Sequence, residues 1–378
     1  MKIAMFYHSL LSDWNHGNAH FLRGVVWELK QRGHEVRVFE PSDAWSLTHL
    51  LDEYGLEPIA QFHRAYPGLK SIRYRLGDLD LAHVLASVDL VLVHEWNDHE
   101  LVRRIGSHRL KTGGYHLLFH DSHHRALTDP ASMAAYDLSG YDGVLAYGKA
   151  LGDVYAAQQW TQRTWIWHEA ADTRIFRPLP ELEKELDVVW IGNWGDGERT
   201  EEMTEFLLRP VKALKLKAAV YGVRYPESAL RALADAGVEY RGWLANFRVP
   251  EIFARARATV HIPRRPYAAA LPGIPTIRPF EALACAIPLV SAPWRDSEDL
   301  FTPGKDFLLA RNAAEMTGHL DLLLSQPNRA AALARHGRRT ILKHHSCARR
   351  VDQLLSIYHE LACSPETTSF TSTGIADG

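Results

Sequence analysis

Short apolar runs alternate with helical segments along most of the chain. Each run continues for several residues without a polar break, which is typical of strands buried on both faces of a parallel sheet. The segments between them, such as 20–31, 198–208 and 227–236, have a helical pattern. This alternation predicts an α/β fold with doubly wound sheets. The predicted strands are residues 3–7, 36–39, 90–93, 116–119, 144–146, 165–167, 188–191, 218–221, 238–240, 259–262, 289–291 and 307–309.

The alternating pattern occurs twice, with a break at residues 171–185. That stretch, ADTRIFRPLPELEKE, combines prolines with a run of charges and has no clear period. We therefore expect two Rossmann-like domains, 1–172 and 173–346, that face each other across a cleft. Residues 337–361 are expected to form a long helical tail, and the C-terminal helix at 347–362 is expected to cross back to the first domain. The small polar residues 364–378 predict a disordered tail.

Composition narrows the classes of protein that fit. The 378 residues are 46% hydrophobic and 23% charged with a formal net charge of −2, which argues against a general nucleic-acid binder. Cys285, Cys347 and Cys363 fit neither a disulfide framework nor a zinc knuckle, so a reducing cytoplasm is expected. No apolar run is long enough to span a membrane, and residues 1–11 lack the features of a signal peptide. Association with the inner membrane face stays open.

The most informative motif is GIPTIRPFEALACAIPLVSAP, residues 273–293. It predicts a loop, a short helix that Thr276 and Arg278 open, and then a strand. A helix start presents free backbone N–H groups to a phosphate, and Glu281, one turn later, can accept hydrogen bonds from sugar hydroxyls. An ordinary amphipathic helix whose dipole favours an early acid is the alternative.

Other strand ends of the second half carry glycine and arginine. Gly192 and Asn193 open a glycine-rich turn towards Arg199, where backbone amides can surround a phosphate. Further candidates for this rim are Gly222, Arg224, Trp243, Arg264 and Arg265. Arg264, Arg265 and Arg278 predict a diphosphate clamp, because guanidinium groups pair with phosphate oxygens in a bidentate manner.

In the first half, Gly17 and Asn18 lie where a loop becomes a helix, so a ligand can approach the backbone. The G-x-G-x-x-G fingerprint of dinucleotide binding is absent, which argues against NAD. His16 and His20 have i,i+4 spacing, but no Glu follows the first of them. We interpret this pair as a chance spacing rather than a zinc site.

Histidines and acids crowd the ends of two predicted strands. His120, Asp121 and His123 follow one strand, and His94 and Glu95 follow its neighbour. Three interpretations stay open for this rim. It could bind a metal, it could position or deprotonate a hydroxyl without a metal, or it could be a polar loop whose histidines are satisfied.

RPFEALACAIPLVSAP resembles the C-terminal signature of GT-B glycosyltransferases related to family 4, which reads roughly E-G-F-G-x-x-x-x-E-A-x-A-x-G-x-P. Together with LFHDSHHRA and FTPGKDF, the stretch GIPTIRPFEALAC is most similar to the CgeB-like, spore-maturation-type branch. The resemblance covers residues 1–362, and its more specific motifs lie in the second half. It implies a GT-B fold with an N-terminal acceptor domain and a C-terminal nucleotide-sugar donor domain.

The resemblance also implies roles in donor binding. Glu281 matches the second acid of the E-x7-E pattern and would bind the ribose hydroxyls, whereas Gly273 stands where the first acid, a contact of the transferred sugar, is expected. Asn193 replaces an Arg that many members have. The other implied donor contacts are Thr276, Ile277 and Arg278 at the diphosphate, Arg199 near the family's Lys, Gly17 and Asn18 near the phosphates, and Gly222, Trp243 and Leu244 at the base.

We therefore expect a glycosyltransferase that moves a sugar, hexosyl in kind, from a nucleoside-diphosphate sugar to an acceptor hydroxyl. The expected transfer is metal-independent and retaining, needs no cofactor, and uses His120 and Asp121 at the sugar and acceptor. The sequence leaves the base, the sugar, the acceptor and the oligomeric state undetermined. The alternatives are a metal-dependent hydrolase built on His94, His120, Asp121 and His123, a non-catalytic nucleotide-sugar-binding protein and, less strongly, a sugar-nucleotide epimerase.

Overall fold

A parallel seven-stranded sheet forms the centre of the first half of the chain. The computed structural model describes residues 1–179, 182–195 and 197–363, so the expected disordered tail at 364–378 lies outside the described residues. The strands are β1 (Lys2–Phe6), β2 (Glu35–Pro41), β3 (Ser71–Tyr74), β4 (Leu90–His94), β5 (His116–Asp121), β6 (Gly143–Ala146) and β7 (Thr164–Ile166). Their order in the sheet is β3-β2-β1-β4-β5-β6-β7, with the earliest strand near the middle.

The second half contains a parallel sheet of six strands. The strands are β8 (Leu186–Ile191), β9 (Ala218–Tyr221), β10 (Val238–Tyr240), β11 (Ala256–His261), β12 (Leu289–Ser291) and β13 (Leu308–Leu309). Their order in the sheet is β10-β9-β8-β11-β12-β13, so the chain adds β9 and β10 on one side of β8 and the later strands on the other side. In open α/β sheets, ligands bind outside the carboxyl ends of the strands where the strand order reverses in this way, here between β8 and β11.

Helices connect the strands of both sheets. Those of the first half are α1 (Ala19–Gln31), α2 (Trp45–Tyr54), α3 (Glu57–Ala65), α4 (Leu81–Val84), α5 (His99–Thr112), α6 (Arg125–Thr128), α7 (Pro130–Ala134) and α8 (Lys149–Ala157). Those of the second half are α9 (Thr200–Met203), which a π-helical turn (Thr204–Leu208) joins to α10 (Arg209–Leu214), then α11 (Glu227–Asp235), α12 (Val249–Arg255), α13 (Arg265–Ala270), α14 (Ile277–Ala284), α15 (Ala313–Ser325), α16 (Pro327–His344) and α17 (Cys347–Cys363).

The last helix returns to the first domain. Trp167 Nε1 donates to the Arg350 backbone oxygen at 2.8 Å, and Arg32, which follows α1, pairs with Asp352 at 2.7 Å. One apolar cluster contains residues of β1, α1, α14 and α17, including Ile3, Val25, Phe280 and Val351. The two domains and the returning helix therefore share a continuous core. Burial of this apolar surface stabilises the arrangement of one domain relative to the other.

Two details differ from the sequence prediction. The strand β3 was not predicted from the sequence. It lies at the edge of the sheet, where Ile72 and Arg73 are exposed, so its residues do not form a continuous apolar run. The helical tail expected at 337–361 is two helices in the structure, α16 and α17, and α17 confirms the crossing helix expected at 347–362. Ser346 leaves the helical path to form a bridge with Ala171, and the hydrogen bond from the Cys347 N–H to the Ala171 oxygen extends it.

No helix within residues 1–179, 182–195 and 197–363 is long and apolar enough to cross a membrane.

Candidate active site

A cleft of about 920 Å³ opens between the two domains. Its walls are loops at the carboxyl ends of the parallel strands of both sheets, as in other open α/β folds. Thirteen residues predicted for donor binding line this cleft, and they come from seven separate stretches of sequence, whereas Arg265 of the predicted clamp lies outside it and pairs with Glu202. The thirteen are Gly17, Asn18, Gly192, Asn193, Arg199, Gly222, Arg224, Trp243, Leu244, Arg264, Thr276, Ile277 and Arg278.

The start of α14 points its free backbone N–H groups at the cleft. Thr276 is the N-cap residue and has an extended backbone, but its side chain does not bond to the first turn. Instead its hydroxyl lies 3.3 Å from His261 Nε2, and His261 Nδ1 lies 2.9 Å from Ser291 Oγ. Burial lowers the pKa of His261 to about 3, so this imidazole is neutral and adds no charge. The orphan N–H groups of the first turn therefore remain for a ligand.

Glu281 does not line the cleft; it lies behind Arg278 and is fully buried. Its Oε1 accepts hydrogen bonds from His20 Nδ1 and Asn246 Nδ2, each at 2.7 Å, and its Oε2 accepts one from Arg278 Nη1. Burial alone would raise the pKa of Glu281, but the Arg278 charge and these hydrogen bonds outweigh it and lower the pKa. In this conformation the carboxylate orients Arg278, and the ribose contact stays a prediction.

Two further arginines line the same wall. Arg199 donates to the Ile262 oxygen at 3.0 Å and lies over the Trp190 ring at 5.4 Å. Burial, together with the nearby Arg264 charge, lowers the pKa of Arg199 to about 9, so it remains a cation at neutral pH. Arg264 approaches Glu198 at 3.4 Å. With Arg278, these side chains bring three guanidinium groups to the second-domain wall, of which Arg264 pairs with Glu198 and Arg278 with Glu281.

The glycines of this wall have a steric explanation. A Cβ atom on Gly222 would lie 2.0 Å from the Gly192 backbone oxygen, so the two strand ends approach too closely for any side chain. Asn193 spans the same junction: its Oδ1 accepts from the Val223 N–H at 2.9 Å, and its Nδ2 contacts Asn15 of the first domain. Asn193 therefore ties the strand ends together and connects the two domains.

His120 and Asp121 do not reach the cleft, and their prediction as residues that meet the sugar and acceptor needs correction in this respect. Both are fully buried at the end of β5. The His120 ring pairs with the Tyr7 hydroxyl at 2.9 Å; Asp121 accepts from Tyr155 at 2.8 Å and from the His123 N–H at 3.0 Å. They therefore hold the loop that follows β5, and that loop brings Ser122, His123 and His124 to the cleft.

Hydrogen bonds within the first domain hold the histidine rim in place. His94 Nε2 lies 2.9 Å from Ser122 Oγ, so it faces a hydroxyl rather than a second ligand. Burial lowers the pKa of His120 to about 3 and raises that of the neighbouring Asp121. Across the residues that the structure describes, no group of three His, Cys, Asp or Glu side chains is arranged to hold a metal ion.

Several cleft residues were not among the predicted site residues. Glu169 follows β7, and Tyr147 follows β6, so the carboxyl-end rule could have identified both. Trp14, Trp45 and Trp96 form an aromatic wall on the first-domain side; they lie far apart in sequence, and only the fold brings them together. The sequence gives no signal for their clustering.

Gly273 occupies the position where the E-x7-E pattern has its first acid, and the backbone conformation there favours glycine. Its φ is +86°, and a Cβ there would lie 2.8 Å from both Ser297 Oγ and Glu298 Oε1. Glu298 in turn accepts from the Lys149 N–H at 2.8 Å and pairs with His168 at 2.9 Å. An acid at position 273 would therefore strain the backbone and collide with a contact between the domains.

Comparison with known proteins agrees with this architecture. Residues 199–356 match a family model described as glycosyl transferase-like. Sucrose-phosphate synthase from Thermosynechococcus elongatus superimposes with a TM-score of 0.64 at 14% identity, over 96% of this chain and 100% of that one. A glycosyltransferase from Rickettsia africae gives 0.65 at 11% identity, over 96% and 99%. No curated protein shows a significant sequence match.

A third similar structure is Anabaena HepE in complex with UDP and glucose. Its TM-score is 0.65 at 15% identity, over 95% of this chain and 100% of that one. These likenesses show that the chain has the GT-B fold, with two Rossmann-like domains and a helical C-terminal end. The fold and the family match together support a glycosyltransferase.

Proposed function

We propose that the protein transfers a sugar from a nucleoside-diphosphate sugar to an acceptor hydroxyl. One observation carries the proposal: Arg199, Arg264 and Arg278 line the same cleft wall as the free N–H groups at the start of α14. Guanidinium groups and helix N-termini are the two protein features that best accommodate phosphate oxygens. Their presence together on one wall suits a diphosphate.

The nucleoside would lie beside the diphosphate, against the ends of β9 and β10. The close approach of Gly222 to Gly192 leaves backbone rather than side chains at this surface, and Trp243 and Leu244 border it. HepE and an α-glucosyltransferase, both of this fold, are described in complex with UDP. We therefore choose uridine diphosphate as the first donor nucleotide to test.

In the proposed reaction, the bond between the anomeric carbon and the phosphate oxygen breaks, and its electron pair leaves with the nucleoside diphosphate. The acceptor oxygen forms the new bond to the anomeric carbon, and its proton passes to an oxygen of the departing phosphate. Negative charge therefore grows on the diphosphate in the transition state. Arg199, Arg264 and Arg278 stabilise it as preorganised electrostatic groups that need no rearrangement.

The acceptor would enter from the first-domain side of the cleft. The loop that Asp121 and His120 hold in place forms part of that side, which gives both residues a positioning role. Burial lowers the pKa of His124, which lines the cleft, to about 4, so this imidazole is neutral and can accept a hydrogen bond from a hydroxyl.

Titration calorimetry with UDP tests the donor site. Arg278→Ala should weaken UDP binding by about tenfold to a hundredfold, as expected when a charged hydrogen bond is lost. Arg265→Ala is the matched control, since Arg265 is exposed, pairs with Glu202 and does not line the cleft. Equal UDP affinity in wild type and Arg278→Ala would show that Arg278 does not act as part of the diphosphate clamp.

Sugar transfer is then assayed with UDP-hexoses. Tight binding of the donor without transfer or donor hydrolysis would favour the non-catalytic alternative.

We extend the proposal to metal independence, to retention of anomeric configuration and to the CgeB-like branch. The arginine wall supports the first, because it can neutralise the diphosphate without a divalent cation. The sequence resemblance supports the other two. Unchanged transfer in excess chelator is the expected result for the first, and the anomeric configuration of the product, read by NMR, tests the second.

A further inference from the structure

Glu169 is a buried acid in the cleft with no role in the donor clamp. Its side chain is 6% exposed, and it lines the cleft just after β7 in the first domain. Within the described residues, no hydrogen bond reaches its carboxyl group, although its backbone oxygen accepts one from Arg350. Its carboxyl oxygens are therefore available to hydrogen-bond a polar ligand in the cleft.

The neighbours of Glu169 form a polar pocket, which we define as Glu169, Tyr147, Tyr267, His123 and His124. All five line the cleft. The Tyr267 ring lies 5.1 Å from His124 and 6.1 Å from Tyr147, and the two histidine rings are 4.0 Å apart. His123 Nδ1 and His124 Nε2 are buried without hydrogen-bond partners. Besides burial, the Glu169 charge raises the pKa of Tyr147 and of Tyr267, so both hydroxyls lie near its carboxyl. The Glu169 pocket therefore brings several polar atoms together, and some of them have no hydrogen-bond partner.

The position of the pocket indicates which part of a donor it would contact. Arg278 and Glu281 lie close enough to Glu169 for their charges to shift its pKa in opposite directions. Arg278 belongs to the proposed diphosphate clamp, whereas Tyr147, His123, His124 and Glu169 belong to the first domain. The pocket thus lies between the diphosphate and the acceptor side, which is where the transferred sugar must be.

Building on the proposed function, we propose that the Glu169 pocket holds the transferred sugar and that the Glu169 carboxyl hydrogen-bonds its ring hydroxyls. A sugar presents both donors and acceptors, which suits a carboxylic acid between phenol and imidazole groups. Burial, with the Glu281 charge added and the Arg278 charge opposed, raises the pKa of Glu169 to about 8. The acid is therefore neutral at pH 7, can donate as well as accept, and does not repel the diphosphate.

The test separates sugar recognition from nucleotide recognition. Dissociation constants are measured for UDP, UDP-glucose, UDP-galactose, UDP-N-acetylglucosamine, GDP and GDP-mannose, and the best sugar conjugate of the wild type is compared with its free nucleotide. Glu169→Ala should keep the affinity for the free nucleotide within about twofold and weaken that for the conjugate by about tenfold. Glu169→Gln, which has the same shape and both kinds of hydrogen-bonding group, should retain most of the conjugate affinity.

Glu251→Ala serves as the control, because Glu251 is a half-exposed acid on α12 outside the cleft. If Glu169→Ala weakens free nucleotide and conjugate equally, or changes neither, the sugar assignment is wrong while the donor proposal stands. If the wild type binds none of the six probes, the donor proposal fails and this inference falls with it. Thermal melting of each variant shows whether an affinity change reflects loss of the fold.

Discussion

His20 of the first domain contacts Glu281 of the second through a hydrogen bond of 2.7 Å between Nδ1 and Oε1. The Asp172 N–H donates to His20 Nε2, also at 2.7 Å, so the ring proton is on Nδ1 and His20 donates to Glu281. Stacking on Phe176 at 3.9 Å fixes the ring plane. Through Glu281, this contact reaches Arg278, so the placement of the clamp depends on the contact between the domains.

We expect His20→Ala to lower the free energy of unfolding by about 2–3 kcal/mol, because it removes two buried hydrogen bonds and a ring contact. Urea denaturation measures the change. His83→Ala, at an exposed histidine on α4, should stay within about 0.5 kcal/mol of wild type. Equal destabilisation by the two substitutions would show that the contact between the domains contributes nothing of its own.

Adjacent arginines provide a second prediction. Arg264 lines the cleft, whereas Arg265 faces away and pairs with Glu202 at 2.9 Å. Arg264→Gln should weaken UDP binding by about tenfold and reduce its dependence on salt, since one cation near the diphosphate is lost. Arg265→Gln should leave both quantities unchanged, as titration calorimetry at two salt concentrations would show. Similar losses in the two variants would point to a general charge effect.

The raised pKa of Glu169 predicts a dependence of stability on pH. The ordinary value of 4.5 rises to about 8 in the folded protein, so the native state binds more protons than the unfolded state between these values. The free energy of unfolding should therefore fall as pH rises through this window, by on the order of 5 kcal/mol. Glu169→Gln should remove this part of the slope, and Glu251→Gln should not. Parallel stability profiles for wild type and Glu169→Gln from pH 4.5 to 8 would contradict the raised pKa.

The contact between Gly222 and Gly192 predicts a steric effect. Gly222→Ala should destabilise the second domain by about 3 kcal/mol or more, because the new Cβ would lie 2.0 Å from a backbone oxygen that cannot move aside. Gly318→Ala, in the middle of α15 where a Cβ meets nothing within 4 Å, should stabilise by up to about 1 kcal/mol. Thermal unfolding compares the two, and a neutral Gly222→Ala would show that the strand ends separate readily.

Most elements of the fold were predictable because buried parallel strands leave continuous apolar runs. The runs at 3–7, 90–93 and 188–191, for example, correspond to β1, β4 and β8. The edge strand β3 left no such run, since an edge position exposes Ile72 and Arg73. The crossing helix predicted at 347–362 corresponds to α17. The break before it was not predicted, because the bridge between Ser346 and the distant Ala171 leaves no mark in the helical pattern.

The sequence by itself determined the strand-and-helix alternation, the helix start at Thr276 and the arginines that follow strand ends, because these are local features of residue type and spacing. Only the tertiary structure decided which of them reach the cleft. Glu281 on α14 and His120 near the end of β5 are turned inward and buried, while Glu169 is turned towards the cleft. The physical reason is that exposure and charge environment depend on packing between the two domains, and residues far apart in sequence supply that packing.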